Sequence, residues 1–279
     1  MEITLNDYAK LNFSEEAAYV TFPGWNVPGS VRYGYSSRLF GVSKGIYASM
    51  NLGLNRGDEE TLVRENYRRM CGRLGIPEKR LVFSKQTHAC NVRKVTASDA
   101  GNGYTRENAF EDIDALMTDE KNVPLVIFTS DCVPVFLCDP VHSAIALVHA
   151  GWRGTVGGIV KNTVAAMGRE YGTKAEEVTA AIGPSICRNC FEIGPEVAEQ
   201  FAAAFPGQTE EILKKGEGDR SYADLWRANE IMLLSAGLRQ ENITVSGLCT
   251  MCRPDLFFSH RATAGRRGSN AGFLMLSEE

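Results

Sequence analysis

The sequence predicts an α/β fold, on three observations. The runs Leu125–Thr129, Val133–Cys138 and Ala144–Val148 are rich in Val, Ile, Leu and Phe and are bounded by Asp, Pro and Ser, the pattern of buried strands. Residues 58–74 and 155–171 instead repeat apolar side chains at helical spacing. Further on, an apolar run at Val178–Ile182 predicts another strand, and Pro195–Phe205 predicts a helix with Pro in its first turn.

Residues 1–35 read as strands and turns, with Ala18–Phe22 apolar and Pro-Gly pairs as breakers. The segment Ser36–Asp58 is rich in Gly, Ser and Asn without low complexity, which predicts an ordered loop. Asp58 is placed to cap the helix 58–74, whose apolar face includes Val63, Tyr67, Met70 and Cys71, and Gly75 and Pro77 end it. Strands are expected at Arg80–Ser84 and Asn91–Val95, and an exposed loop at Ser98–Asp112. His142 falls in a turn and is assigned to solvent. A helix is expected over Tyr222–Leu238, started near Asp224 and stopped near Gly237. A strand-like Phe257–Ser259, a glycine-rich loop and a last apolar strand close the chain.

A chain of 279 residues with 44% hydrophobic residues can bury a large core, and is expected to form one domain over 1–279. The net charge of -4 and the scattered Lys and Arg exclude a basic nucleic-acid surface. No signal-peptide core and no membrane-length apolar run is visible, so a cytoplasmic location is expected, with eight cysteines kept as thiols or metal ligands.

Chemistry gathers where the strands end. Cys132 and His149, with His88 upstream, are suited to an open zinc site of one sulfur and two nitrogens. A buried cysteine packing as a small hydrophobe and hydrogen-bonded histidines are the plain alternative. Gly151 and Gly154 turn the chain into a helix N-terminus, where an anion fits, and Arg153 adds a forked donor. Ser185 lies in a second turn and could donate to a ligand. Arg38 could bind an anion or be a solvated surface residue. Cys187/Cys190 and Cys249/Cys252 suggest a four-cysteine zinc site, although the pairs lie farther apart than in zinc ribbons; redox-active or packed thiols are the alternatives.

The stretches KQTH at 85–88, DALMTD at 114–119, SDCVPVFLCDP at 130–140, HAGWRGT at 149–155 and AIGPSIC at 181–187 together resemble the YfiH/YlmD-like laccase-domain family. Its members have been described as multicopper polyphenol oxidases, purine nucleoside phosphorylases and peptidoglycan editing factors. The resemblance implies a layered α-β-β-α architecture with mixed sheets. It implies zinc-dependent phosphorolysis of adenosine, inosine, guanosine and S-methyl-5'-thioadenosine by inorganic phosphate, with adenosine deamination beside it. His88, Cys132 and His149 would hold zinc, which brings the pKa of a bound water toward about 7. Asp131 and Arg153 would join them in catalysis. Arg38, Ser43, Asn51, Gln86, Gly151, Ser185, His260 and Arg261 would contact substrate or phosphate.

Three rival functions stand beside this one. A copper polyphenol oxidase needs histidine-rich centres that four histidines in all cannot fill. A hydrolase could use Cys132 as nucleophile with His149 or His88 as base. A role in binding cell-wall or division proteins would leave the pocket inert.

Overall fold

The computed structural model describes residues 1–278. Two six-stranded sheets form its centre. The first, in spatial order, runs Glu2–Asn6, Ala9–Phe13, Ala18–Thr21, Val31–Ser36, Asn270–Leu276 and Leu125–Thr129, all antiparallel. The second runs Ile243–Val245, Thr179–Ile182, Val133–Asp139, Ala144–Ala150, Ala115–Thr118 and Val92–Lys94, with a parallel pair at each edge. A small sheet of Glu192–Ile193, Ser221–Ala223 and Leu213–Lys215 lies outside them.

Side-chain alternation along the strands builds the layers. Leu125, Ile127 and Leu274 of the first sheet share a core with Phe136, Ile145 and Leu147 of the second, so the sheets pack face to face. The other face of the first sheet, through Val126, Phe273 and Met275, is covered by Tyr67 and Met70 of the helix Glu60–Leu74. The other face of the second, through Val135, Leu137 and Val148, is covered by Ile159 and Val164 of the helix Ile159–Tyr171 and by Ile231 of the helix Leu225–Ser235. The result is the expected α-β-β-α stack. Strands buried on both faces explain the near-continuous apolar runs.

Several elements differ from expectation. Asp58 does not cap the helix 60–74: it accepts the N–H of the adjoining Glu59 and the amide of Asn51 instead. Residues 80–84 hold a single bridge, Val82 to Leu125, rather than a strand. The helix expected over 155–171 starts at Trp152 and breaks at Gly157-Gly158, where Gly158 adopts a left-handed φ of 77°. Residues 221–223 belong to the small sheet, so the next helix begins at Leu225, capped by Asp224. Phe257–Ser259 is irregular and leads into one helical turn, His260–Thr263. Within the 98–112 loop, Tyr104 and Phe110 are buried. His142 is only partly exposed, since its Nδ1 donates to buried Asp139. Among the described residues no helix is long and apolar enough to cross a membrane.

Candidate metal centre

The chain crosses from the first sheet to the second between Leu125–Thr129 and Val133–Asp139, and Cys132 sits on that crossing. His149 comes from the end of the neighbouring strand Ala144–Ala150, where it lies opposite Pro134. His88 comes from the connector before Val92–Lys94. The ligand atoms of the three lie within 4.8 Å of one another, with Cys132 Sγ 3.8 Å from His88 Nε2 and the imidazole centroids 4.9 Å apart.

Two unusual backbone conformations aim these side chains. His88 has a φ of 66° and Asp131, just before Cys132, a φ of 112°, regions that non-glycine residues enter only when surroundings hold them. Asp114 holds the first: its carboxylate accepts the consecutive N–H groups of Thr87, His88 and Ala89 at 3.1, 3.0 and 2.9 Å. Such a run of amides around a left-handed residue forms an anion nest. Asp131 is held through its own carboxylate, which accepts the Thr250 hydroxyl at 2.6 Å and the Arg261 N–H at 2.7 Å.

Asp114 also accepts a hydrogen bond from His149 Nδ1 at 2.7 Å, which fixes the tautomer and leaves Nε2 free to face Cys132 and His88. Burial alone would raise the Cys132 thiol and lower the His149 imidazole. Their mutual attraction, with His88 beside the sulfur and Asp114 behind the ring, overrides it and brings Cys132 down to about 6 and His149 up to about 9. A polarised thiolate, two imidazoles and a carboxylate behind one of them suit zinc. The space for an ion is kept by Gly151: a Cβ there would stand 2.5 Å from His88 Cδ2 and 3.2 Å from Cys132 Sγ.

The trio lies at one side of a cavity of about 670 Å³. Phe128 and Phe191 supply aromatic wall, and Arg56, Arg261 and Arg267 supply positive charge. The Nε of Arg267 is buried without a partner, and burial together with nearby Arg56 lowers its pKa. A bound anion would relieve the repulsion between these two cations and satisfy the unpaired donor.

Of the residues singled out in sequence, His88, Cys132, His149, Asp131, Gln86, His260 and Arg261 line this cavity, with Gly151 against the ligands. Gln86 uses both ends of its amide on the Phe128 backbone, so it fixes the wall. The remainder stand elsewhere, and all but Arg153 have their polar atoms engaged in hydrogen bonds. The Arg38 guanidinium binds the carbonyls of Ala48 and Pro254 and lies over Phe258. Ser43 and Asn51 are buried, the first receiving the Asn66 amide and the second joined to Asp58 and the backbone of Ser269. Ser185 is buried and accepts the Trp226 indole N–H. Exposed Arg153 folds over the adjoining Trp152 ring. Asp114, Arg56 and Arg267 were not singled out; Asp114 stood within the recognised DALMTD stretch, whereas the arginines lie in polar loops without a local signal.

A three-donor Cys/His centre at the seam of an α-β-β-α sandwich defines the class. Residues 32–277 match the family model described as multi-copper polyphenol oxidoreductase laccase, and the chain belongs to that YfiH/YlmD-like family. Among its relatives, purine nucleoside phosphorylase YlmD of Geobacillus stearothermophilus is 36% identical over 247 residues, covering 88% of this chain and 90% of that protein. Adenosine deaminase RL5, from an unknown prokaryotic organism, is 36% identical over 230 residues, covering 81% and 85%. The crystal structure of the Geobacillus stearothermophilus YlmD superposes with a TM-score of 0.89 at 33% identity, over 96% of this chain and 99% of that one.

Proposed function

We propose that this protein is a zinc-dependent purine nucleoside phosphorylase that splits adenosine, inosine, guanosine or S-methyl-5'-thioadenosine with inorganic phosphate, and that deaminates adenosine as a companion activity. The observation that carries the reading is the opening of the His88–Cys132–His149 centre into a cavity with aromatic walls and an arginine-lined anion seat. Its size suits a nucleoside with phosphate beside it, and the names of the relatives point the same way.

Zinc in this setting supplies Lewis acidity toward a substrate atom. The chain's own residues do the rest. Phe128 and Phe191 offer faces for a purine, and Arg267 with Arg56 would hold phosphate in place of the expected Arg38 and Arg153. Asp131 positions Cys132 rather than touching substrate, because both its carboxylate oxygens are already used.

Metal-quantified protein is incubated with adenosine, with and without phosphate, and adenine, inosine and ribose 1-phosphate are followed by chromatography. Phosphate-dependent adenine and ribose 1-phosphate, lost in Cys132→Ala, are expected. No turnover by zinc-loaded protein sinks the nucleoside reading. A second reading, a cysteine hydrolase, is favoured by the close Cys132 thiolate and His149 imidazolium. It predicts activity that survives chelation, whereas the zinc reading predicts its loss. A multicopper enzyme needs several histidine-rich centres, and among the described residues no candidate donor group holds more than two histidines.

A further inference from the structure

A second set of donors converges outside the cavity. Cys187 and Cys190 follow the strand Thr179–Ile182, and Cys249 and Cys252 follow Ile243–Val245. These strands are parallel neighbours, Ile182 beside Val245, and Ser185 then bridges to Cys249. The register lays one Cys-x-x-Cys turn against the other across 62 residues of sequence.

All four sulfurs lie within 4.8 Å of one another, and all four cysteines are free thiols. Cys190 and Cys252 approach to 3.4 Å. A tetrahedron of thiolates around zinc, with bonds of about 2.3 Å, has sulfur–sulfur edges of about 3.8 Å. The observed spacing brackets that value. Cys249, the most buried, accepts the N–H of Cys187 at 3.3 Å and of Cys252 at 3.4 Å. Amides aimed at a sulfur favour its charged form, the form that binds metal.

We propose that Cys187, Cys190, Cys249 and Cys252 hold a structural zinc ion, distinct from the His88–Cys132–His149 centre and independent of the nucleoside reading. Four thiolates close the coordination sphere, so the site has no position for substrate. Its place in the fold gives it a task. Ile186, next to Cys187, donates its N–H to the Asp131 carbonyl, and Thr250, next to Cys249, donates its hydroxyl to the Asp131 carboxylate. The ion therefore clasps the two loops that hold Asp131 in its left-handed conformation and present Cys132.

The test is metal content in protein made with ample zinc and purified under reductant. Two zinc ions per chain are expected in the wild type and one in Cys132→Ala. X-ray absorption of that remaining ion should show four sulfur neighbours, and cobalt in its place should show thiolate charge-transfer bands. The Cys190→Ser/Cys252→Ser double variant should lose this ion. Folded Cys132→Ala without metal, or with a mixed nitrogen and sulfur shell, overturns the proposal. So does a Cys190–Cys252 disulfide found by peptide mapping. The Cys132→Ala arm leaves all four cysteines in place, so the test stands even if the double variant fails to fold.

Discussion

One carboxylate oxygen, Oδ1 of Asp114, receives both the His149 ring at 2.7 Å and the His88 backbone N–H at 3.0 Å. The Asp114 carbonyl in turn accepts the His149 N–H at 2.7 Å. The two imidazoles of the candidate centre, from separate segments, are thus registered to one residue. Asp114→Asn keeps the size of the side chain but loses the charge that faces three amides and a ring. Zinc affinity should fall by about 10- to 100-fold, as a competition titration against a chelator would show. An unchanged affinity would mean that packing alone sets the two rings.

Gly151→Ala tests the space between the ligands. The backbone there, at φ -68°, accepts any residue, so the effect would come from the added methyl against His88 and Cys132. Zinc stoichiometry at the Cys/His centre should drop by most of one equivalent, with a loss of about 1–3 kcal/mol in unfolding free energy. Full metal content in the variant would contradict the packing.

Arg267→Gln addresses the anion seat. Removing a charged donor costs about 1.5–3 kcal/mol, so the KM for phosphate should rise by about 10- to 100-fold while zinc content holds. Steady-state kinetics at varied phosphate would measure it. An equal rise for nucleoside and phosphate would place Arg267 elsewhere in the reaction.

Asp139 carries a pH prediction away from the pocket. Burial would raise its pKa, but the neighbouring Thr173 hydroxyl, the His142 N–H and ring, and the Val141 N–H together hold it below the usual aspartate value. A depressed folded-state pKa stabilises the protein above the unfolded value, and that contribution is lost as pH falls through the folded one. Urea unfolding should therefore show wild type more stable than Asp139→Asn by about 1–3 kcal/mol near neutral pH. The gap should close in acid below about pH 4; a gap that stayed constant to pH 3 would sink the assignment.

The central strands of the sheets were legible because burial on two faces writes unbroken apolar runs such as Val133–Cys138, whereas the short edge strand Ile243–Val245 writes none and was not foreseen. The trio was legible because Cys132 and His149 stand where such runs end. What escaped was whatever depends on a partner far along the chain. Nothing local distinguishes Arg38, whose fork is filled by carbonyls, from Arg267, whose Nε is unpaired. Asp114 looked like the polar residue before a strand, and its role appears only once residues 87–89 are folded around it. The Gly157-Gly158 break was hidden because the apolar spacing continues across it.

The strand Leu125–Thr129, from which Cys132 departs, is hydrogen-bonded in its sheet to Asn270–Leu276, near the end of the chain. The two strands are separated by about half of the sequence, so their pairing is a long-range contact that closes a large loop. Cys132 is therefore tethered on one side by that distant pairing and on the other by the nearer pairing of Val133–Asp139 with Ala144–Ala150. What fixes the geometry of the candidate centre is consequently the joining of the two sheets, rather than the formation of either sheet alone.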